Sequence, residues 1–266
     1  MTPPGPRVTD GIMIEHCRVI GTEPVADGIH VISFTSPRIA ATVRPGQFVN
    51  VRAEDSTDPL LRRPFSVYRV EGDAVRLIYQ VIGKGTAALS RKRAGDELDV
   101  LGPLGRPFTV DDPACGTALL VAGGLGVAPM PLTTRALLAA GKKVLTVLGA
   151  RTASMLLPAF LEDVRCATDD GSRGSKGTAV DLARTILTRE QPDRPKLYAC
   201  GPTPMLRALA QVAKDLDVAC ELSLEGAMAC GIGICQGCPV ELVGAPQKYA
   251  LMCKDGPTFD ARLVRI

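Results

Sequence analysis

The chain has 266 residues, of which 46% are hydrophobic and 22% are charged, an ordinary composition for a globular protein that buries a core. Its net charge is only +3, basic and acidic residues are interspersed, and aromatic residues make up 4% without any tryptophan. This balance argues against a nucleic-acid surface, because such surfaces concentrate positive charge and stack bases on aromatic rings. The N-terminal sequence shows no charged start followed by an apolar run, so no signal peptide is expected.

Short strand-like runs fill the chain from residue 11 to about residue 110. They are bounded by Gly, Pro and Asp, and Glu71-Gly72-Asp73 between two of them predicts a hairpin. Six short strands without long helices predict a small antiparallel β-barrel, to which we assign residues 1–112. The runs are IMIEHCRVI, IHVISF, QFVNVRA, FSVYRV, AVRLIYQVI and ELDVL.

Strand and helix patterns alternate after about residue 114. The runs ALLVAGG, KKVLTVLGA, KLYACG and VACELSL are typical of buried strands, and APMPLTTRALLAA before Gly141 predicts a helix. A second helix is predicted to begin with Thr203 as its N-cap and Pro204 at its first position. This alternation predicts an open parallel α/β domain over residues 113–222.

One stretch of this domain has the length of a membrane helix. Residues 113–134 carry no charge, and a membrane helix needs about 20 such residues. However, the stretch also contains a cluster of glycines and several prolines, which favour strand, turn and helix in succession. We therefore expect no membrane insertion.

The last four cysteines are spaced C-x4-C-x2-C-x14-C, whereas the other five are scattered along the chain. Three thiolates in one tight loop and a fourth that is distant are how plant-type [2Fe–2S] clusters are held. Glycines within the loop permit the backbone to approach the inorganic sulfur closely. The sequence therefore predicts a small C-terminal cluster domain over residues 223–266, with the ligands Cys230, Cys235, Cys238 and Cys253.

Two alternatives to an iron–sulfur cluster stay open, a structural zinc ion and incidental cysteines. A zinc site more often uses two C-x2-C knuckles, and this chain has one. A disulfide framework is not expected, because the nine cysteines stand in a chain without an export signal. For the same reason we expect a cytoplasmic protein.

Three stretches of the barrel region suggest a flavin site. RRPFS contains Arg63, which suits bidentate pairing with a pyrophosphate, and Ser66, which could hydrogen-bond a flavin ring nitrogen. YQVIGKGT ends in Gly85 and Thr86, whose N–H and hydroxyl groups suit a phosphate, and GPLG at residues 102–105 predicts a tight turn. Each stretch alone also fits a solvated or structural turn, but their order before an α/β region favours a flavin.

Two turns of the α/β domain suggest a nicotinamide nucleotide. The GGLG loop follows a buried strand and precedes a helix, as dinucleotide loops do, although it is not G-x-G-x-x-G and also fits a packed glycine turn. The CGP turn ends a later strand, and ligands of open α/β sheets lie at such strand ends. Its cysteine is either a small neighbour of the nicotinamide or an inert buried thiol. The candidate residues are Gly123, Gly124, Gly126, Cys200, Gly201 and Pro202.

The order of these motifs resembles that of the ferredoxin-NADP reductase superfamily. SLEGAMACGIGICQGC and the later LMCKDGPTFDA are similar to one branch, the iron–sulfur electron-transfer subunits of dihydroorotate dehydrogenase type B. The resemblance covers nearly the whole chain. It implies FAD in the barrel, NADH in the α/β domain and a [2Fe–2S] cluster that exchanges electrons with an FMN-containing catalytic subunit. It also implies a heterotetramer and a role in pyrimidine (UMP) biosynthesis.

The resemblance also implies roles for single residues. No residue of this chain is expected to act as a catalytic base, because the partner would oxidise dihydroorotate to orotate. The family implies NAD rather than NADP, although the residues alone leave this open. Arg151 and the segment 169–173 lie where the adenosine end is expected, and that segment contains two aspartates, which favour a ribose hydroxyl, and Arg173, which favours a 2′-phosphate. Phe65 stands where the superfamily often has Tyr, so one hydroxyl contact to the flavin is missing. The implied FAD contacts are Arg63, Pro64, Phe65, Ser66, Ile78, Tyr79, Gln80, Gly85 and Thr86.

Two other functions stay open at this point. One is an NAD(P)H-linked reductase subunit of another redox complex, of the sulfide dehydrogenase, hydrogenase or ferredoxin:NADP oxidoreductase type. The other is a non-enzymatic module with a structural zinc ion, which would be colourless. The uncharged segment 226–239 either exposes Met228, Ile232 and Ile234 as a docking patch for a partner or packs them against the barrel.

Overall fold

The computed structural model describes residues 11–54 and 57–266. Within these ranges the chain forms three β-sheets with short helices around them. Residues 1–10, which the sequence analysis assigns to the first domain, lie outside the described residues.

The first sheet is an antiparallel half-barrel. Its elements are β1 (Met13–Ala26), β2 (Ile29–Thr35), α1 (Pro37–Thr42), β3 (Phe48–Arg52), β4 (Arg63–Ser66), β5 (Arg69–Glu71), β6 (Ala74–Gln80), α2 (Lys84–Ser90) and β7 (Glu97–Leu104). The spatial order is β4-β3-β7-β1-β2-β6-β5, so the two edge strands follow each other in the chain and the sheet curls. The hairpin predicted at Gly72 joins β5 to β6 and is confirmed. The predicted antiparallel barrel is therefore a curled sheet whose edges are linked by two residues.

Strand β3 separates two environments, because successive side chains of a strand point to opposite faces. Val49 and Val51 belong to the core inside the half-barrel. Phe48 belongs to a different core, which it shares with the C-terminal segment, and the side chain of Asn50 contacts that segment as well. The outer face of the half-barrel is thus the surface on which the cysteine-rich segment lies.

The second sheet confirms the predicted open parallel α/β arrangement. Its elements are β8 (Thr117–Gly123), a 3-10 turn (Gly124–Val127), α3 (Met130–Ala139), β9 (Lys143–Ala150), a 3-10 turn (Ala153–Met155), β10 (Val164–Thr168), β11 (Ser175–Lys176), α4 (Ala179–Thr185), a π-helical turn (Ile186–Glu190), β12 (Pro195–Cys200), α5 (Thr203–Asp215) and β13 (Ala219–Ser223). The parallel strands follow the order β11-β10-β9-β8-β12-β13. All of β8 is buried, as expected for a strand covered on both faces.

The helix boundaries agree with the sequence patterns except in one detail. Helix α3 ends just before Gly141, whose φ of +71° suits the left-handed position after a helix, and this confirms the predicted end. At α5 the prediction was wrong, because Thr203 is the first helical residue and Pro202 occupies the cap position without a side-chain cap. Across the described ranges, no helix is both long enough and apolar enough to cross a membrane.

The C-terminal segment packs against both other sheets. Its strands β14 (Pro239–Leu242), β15 (Tyr249–Leu251) and β17 (Val264–Arg265) form a small antiparallel sheet, with α6 (Met252–Asp255) after β15. A further strand, β16 (Thr258–Asp260), leaves this sheet and pairs antiparallel with β13 at the edge of the second sheet. Phe48 and Leu104 of the half-barrel share one hydrophobic core with Cys238, Met252 and Phe259. The domain boundaries after residues 112 and 222 stay predictions.

Candidate functional site

The four predicted cluster ligands form two pairs. Cys238 Sγ lies 3.2 Å from Cys253 Sγ, and both side chains are buried. In the other pair, the backbone N–H of Cys235 donates to Cys230 Sγ at 3.4 Å. In the part of the chain that the structure describes, no group of three or more Cys, His, Asp or Glu side chains is arranged around one metal ion. A two-iron cluster takes two thiolates on each iron, so this pairwise donor set fits [2Fe–2S].

The two pairs differ in electrostatics. Burial acts to raise the pKa of the Cys230 thiol, but backbone N–H groups of Cys235, Ile232 and Ile234 outweigh it and lower the pKa to about 6. At Cys253, burial and the adjoining Cys238 thiol raise the pKa to about 12. Because the thiolate is the form that binds metal, the loop itself prepares Cys230 for a ligand's role. Cys253 therefore needs the positive charge of iron to lose its proton.

The apolar side chains of the cysteine loop divide between packing and exposure. Met228 and Ile232 are half-buried and pack against the shared core of the half-barrel and the C-terminal segment. Ile234 is 75% exposed, and the neighbouring Cys235 is exposed as well. Of the two alternatives, packing against the barrel therefore holds for Met228 and Ile232. Ile234 alone among these three residues is exposed, at the tip of the loop.

A cleft of about 500 Å³ between the half-barrel and the second sheet collects most of the predicted flavin residues. Arg63 and Gly85 of that prediction lie outside its lining. Sequence analysis missed further wall residues that come from distant parts of the chain, among them Phe48, Leu125, Ser223, Glu225 and Met228. The seven predicted residues in the wall are Pro64, Phe65, Ser66, Ile78, Tyr79, Gln80 and Thr86.

A second groove, of about 650 Å³, continues the cleft along its Pro64 side. Its lining includes the cations Arg62, Arg63 and Lys84. A Cβ atom on Gly85 would lie 2.9 Å from Arg63 Nε, so the glycine leaves room for the arginine to lie across the start of α2. This cationic groove suits a pyrophosphate that continues from a flavin in the cleft. Lys84 was not among the predicted contacts.

Two hydroxyl groups of the flavin cleft differ in their hydrogen bonding. Thr86 Oγ1 accepts hydrogen bonds from the N–H groups of Ile82 and Gly83 at 3.0 and 3.2 Å, so this hydroxyl shapes the turn before α2. The hydroxyl of Tyr79 is buried and has no partner among the described residues, and burial raises its pKa. An unpaired buried hydroxyl beside the cleft is a free hydrogen-bonding group for a bound ligand. The cleft therefore fits a large aromatic cofactor such as FAD.

The glycine loop and the CGP turn meet at neighbouring strand ends. Strands β8 and β12 pair in register, with Ala122 opposite Cys200. A Cβ atom on Gly126 would lie 2.1 Å from the carbonyl oxygen of Cys200, so the loop approaches the turn backbone to backbone. A crevice of about 630 Å³ opens beside them, and its lining includes Gly123, Gly124 and Pro202. The other three predicted nucleotide residues are not part of that lining; they are Gly126, Cys200 and Gly201.

The far end of the crevice contains the residues predicted near an adenosine. Arg151 follows β9, and Asp169 follows β10, at the carboxyl ends of adjacent parallel strands. Both line the crevice together with Thr178 and Asp181 from the start of α4. This placement at parallel strand ends suits a dinucleotide.

A carboxyl–thiol pair that sequence analysis missed lies between the two clefts. Cys200 Sγ donates a weak hydrogen bond to Glu225 Oε1 at 3.7 Å. Burial and the neighbouring Glu225 raise the pKa of Cys200 well above its ordinary value, so the thiol stays neutral. Burial also raises the pKa of Glu225. The available signal was the position of Glu225 just after β13, because β12 and β13 are adjacent parallel strands that end together.

Comparison with known proteins agrees with this geometry. Residues 225–265 match the family model described as the iron–sulfur cluster binding domain of dihydroorotate dehydrogenase B. A solved structure titled as NADH-dependent reduced ferredoxin-NADP oxidoreductase is 32% identical, with a TM-score of 0.83, and covers 94% of this chain and 90% of its own. The ferredoxin reductase in carbazole 1,9a-dioxygenase, at 20% identity and a TM-score of 0.63, is similar in fold, with 78% of this chain and 67% of its own covered.

Similarity to curated proteins extends over nearly the whole chain. The dihydroorotate dehydrogenase B (NAD(+)) electron transfer subunit of Geobacillus thermodenitrificans is 38% identical over 255 residues, covering 93% of this chain and 96% of the relative. The subunit of the same name from Bacillus caldolyticus is 39% identical over 254 residues, with the same coverage. The chain belongs to the family of dihydroorotate dehydrogenase B electron transfer subunits.

Proposed function

We propose that the protein is the electron-transfer subunit of a dihydroorotate dehydrogenase of type B. It passes electrons between the FMN of a catalytic partner subunit and NAD, by way of a [2Fe–2S] cluster and FAD, in pyrimidine (UMP) biosynthesis. The observation that carries the proposal is the continuity of three sites. Gly226 and Met228, just before Cys230, line the flavin cleft on one side, and Leu125, within the glycine loop, lines it on the other.

The residues of this chain bind and orient the electron carriers. Arg63 and Lys84 line the groove where they would hold the pyrophosphate, and Lys84 Nζ also pairs with Asp58 Oδ2 of the same wall at 2.5 Å. Phe65 and Tyr79, with ring centroids 5.6 Å apart, provide an apolar wall that excludes water. When bound, FAD converts the two-electron chemistry of a nicotinamide into single electrons that a [2Fe–2S] cluster can carry. The glycine loop brings the nucleotide to the opposite side of the same cleft, and no general base is needed there.

The Cys200–Glu225 pair supports this arrangement between the two clefts. The thiol of Cys200 remains neutral, so it places a small uncharged group at the end of β12. The carboxyl group of Glu225 lines the flavin cleft and accepts the hydrogen bond of the Cys200 thiol, and burial raises its pKa.

The partner subunit carries out dihydroorotate oxidation, in an assembly that we propose to be a heterotetramer. The relatives' shared name, electron transfer subunit, supports the division of labour. All nine cysteines of the chain lie in the described residues, and none of them forms a disulfide. Free thiols are typical of reducing compartments, and this supports a cytoplasmic location.

NAD is proposed as the nucleotide in preference to NADP. The relatives' name includes NAD(+). Asp169 lines the crevice at the end of β10, where a carboxylate can bind a ribose 2′-hydroxyl and would repel a 2′-phosphate. Arg151 lies across the same crevice and is the residue that would favour NADP.

The test is a visible absorption spectrum of anaerobically purified protein before and after NADH, with NADPH as the matched comparison. We expect flavin and iron–sulfur bands that bleach with NADH and bleach more slowly with NADPH. Electrons should then pass to the FMN-bearing partner when it is added. A colourless, zinc-containing chain that stays unreactive after reconstitution with FAD, iron and sulfide would contradict the proposal.

A second candidate is the reductase subunit of another complex. The observation in its favour is the 32% identity to the solved NADH-dependent reduced ferredoxin-NADP oxidoreductase. Both functions use the same cofactors in this chain, so the partner distinguishes them. Co-purification of the native complex, followed by assay with dihydroorotate and with reduced ferredoxin plus NADP, separates the two.

A further inference from the structure

A buried amide lies between β4, whose residues line the flavin cleft, and the cysteine loop. Asn50 is on β3, where it stands opposite Pro64 of β4, a residue of the flavin cleft. Its side chain is fully buried. Nδ2 donates to the carbonyl oxygen of Cys230 at 3.4 Å, a long hydrogen bond. Oδ1 has no partner in the described part of the chain.

The cysteine loop approaches this amide without any side chain in between. Gly231 has a φ of +73°, and a Cβ atom at that position would lie 2.0 Å from Asn50 Nδ2. Glycine at residue 231 is therefore required by the backbone conformation and by the presence of Asn50 beneath it. The amide touches the loop at the first cluster ligand and the residue that follows it.

Packing alone does not explain an asparagine at this position. The neighbouring residues Phe48 and Leu104 belong to the hydrophobic core shared with the C-terminal segment. An aliphatic side chain would satisfy that core, whereas a buried amide with an unpaired oxygen destabilises it. The amide is instead oriented, with its N–H₂ group, the positive end of its dipole, directed towards Cys230.

We propose that Asn50 is a positioning residue of the [2Fe–2S] centre that directs its amide dipole towards the first predicted cluster ligand and thereby raises the reduction potential of the cluster. The inference rests on the proposed function, because it requires the cluster to be present. Reduction adds one negative charge to the cluster. The positive end of a buried dipole stabilises the reduced form more than the oxidised form, and this raises the potential.

The test replaces the amide by an apolar side chain of similar size. In Asn50→Leu we expect unchanged iron and sulfide content and an unchanged visible spectrum. The midpoint potential, from a redox titration followed by electron paramagnetic resonance, should become more negative. A tenfold change in the one-electron equilibrium corresponds to about 59 mV, and a shift of this order is expected.

Two further variants make the test decisive. Gln47→Leu removes another buried amide that precedes β3, whose Nε2 donates to Gly105 O at 2.8 Å, and it should leave the potential unchanged. Asn50→Asp keeps the shape of Asn50 but replaces the N–H donor by an oxygen, so it should shift the potential in the same direction as Asn50→Leu.

Three results would overturn the inference. The first is an unchanged potential in Asn50→Leu with an intact cluster, and the second is a positive shift in Asn50→Asp. The third is loss of the cluster from both variants, which would mean that Asn50 only maintains the shape of the loop. The proposed function is judged separately, from the cluster spectrum of the wild-type chain. A wild-type chain that forms no cluster would overturn both proposals, whereas the difference between variant and wild type concerns Asn50 alone.

Discussion

Cys235 is the predicted cluster ligand whose role can be tested with least damage to the fold. It is exposed, while Cys238 and Cys253 are buried in the shared core, so a substitution there removes an iron ligand without creating a cavity. We predict that Cys235→Ser loses the iron–sulfur absorption and most of its bound iron, yet keeps FAD. Cys166→Ser, at a half-buried thiol on β10, is the control and should keep both. An unchanged iron content in Cys235→Ser would rule out this residue as a ligand.

Ile234 is the residue at which partner binding can be separated from cluster assembly. Its side chain is 75% exposed at the tip of the cysteine loop, beside the predicted cluster that the partner subunit would have to approach. We predict that Ile234→Asp weakens binding of the catalytic partner by at least about tenfold, or about 1.4 kcal/mol, measured by calorimetry. The cluster spectrum should not change. Leu263→Asp, at an exposed leucine of the same segment, is the control, and equal losses in both variants would contradict docking at Ile234.

At the scale of secondary structure, the contact between the glycine loop and β12 determines the shape of the nucleotide crevice. A methyl group on Gly126 would meet the Cys200 carbonyl at 2.1 Å, so the loop must move away from the strand. We predict that Gly126→Ala weakens NADH binding by at least about tenfold, about 1.4 kcal/mol, while the flavin spectrum is retained. NADH titration of flavin bleaching measures this. Gly21→Ala, with no atom within 4 Å of the added methyl group, should bind NADH normally.

A buried lysine at the start of β12 contacts the segment that connects the first and second sheets. Lys196 Nζ lies 3.1 Å from Asp112 Oδ2 and 2.8 Å from Glu221 Oε1. Burial acts to lower the pKa of Lys196, but Glu221 and Asp112 outweigh it and raise the pKa. Burial also acts to raise the pKa of Asp112, but Lys196, with the Ala114 N–H and Lys142, outweighs it and lowers that pKa. Both directions mean that the paired, charged state stabilises the folded chain.

The sign of each pKa shift defines the pH window of this stabilisation. Because the pKa of Lys196 is raised, its charge stabilises the folded chain fully below the ordinary value of 10.5. This stabilisation is lost as the pH rises through the pKa of the folded state. Because the pKa of Asp112 is lowered, its charge stabilises the folded chain above the ordinary value of 3.8. This stabilisation is lost as the pH falls through the pKa of the folded state. Lys196→Met should therefore lower the free energy of unfolding by about 3 kcal/mol near pH 7, the low end for a broken buried pair. The difference from wild type should shrink below pH 3.8.

Denaturant unfolding at several pH values measures this difference. Lys143→Met is the matched control, because Lys143 is an exposed lysine at the same end of the neighbouring sheet strands. A Lys196→Met variant with the same pH profile as Lys143→Met would show that the buried pair contributes nothing.

At the scale of the whole molecule, the cysteine-rich segment is part of the fold. Strand β16 completes the edge of the second sheet, and Met252 and Phe259 fill a core that includes Phe48 of the half-barrel. Each such core side chain contributes about 2–5 kcal/mol, and a domain has about 5–15 kcal/mol in total. We predict that a chain ending at residue 223 does not unfold cooperatively, whereas the full chain without its cluster does. A truncated chain with the melting temperature of the full chain would contradict this.

Local sequence patterns were sufficient to predict those features whose residues lie close together in the chain. The cluster ligands lie within 24 residues of sequence, and their spacing alone indicated the cluster. Hydrophobic periodicity likewise indicated the antiparallel and parallel sheets and the end of α3 at Gly141. The start of α5 was predicted one residue too late, because threonine is a favoured N-cap in sequence, whereas the backbone that leaves β12 puts Pro202 at the cap position.

By itself, the sequence determined the types of cofactor and predicted the four cysteine ligands and the order of the three sites, because each depends on residues close together in the chain. Only the tertiary structure decided that Glu225 meets Cys200, that Asn50 lies under Gly231, and that β16 joins the second sheet. These contacts join residues up to 181 positions apart, as between Asn50 and Gly231. Such contacts form only when separate sheets pack together, and packing is a property of complementary surfaces that no local pattern encodes.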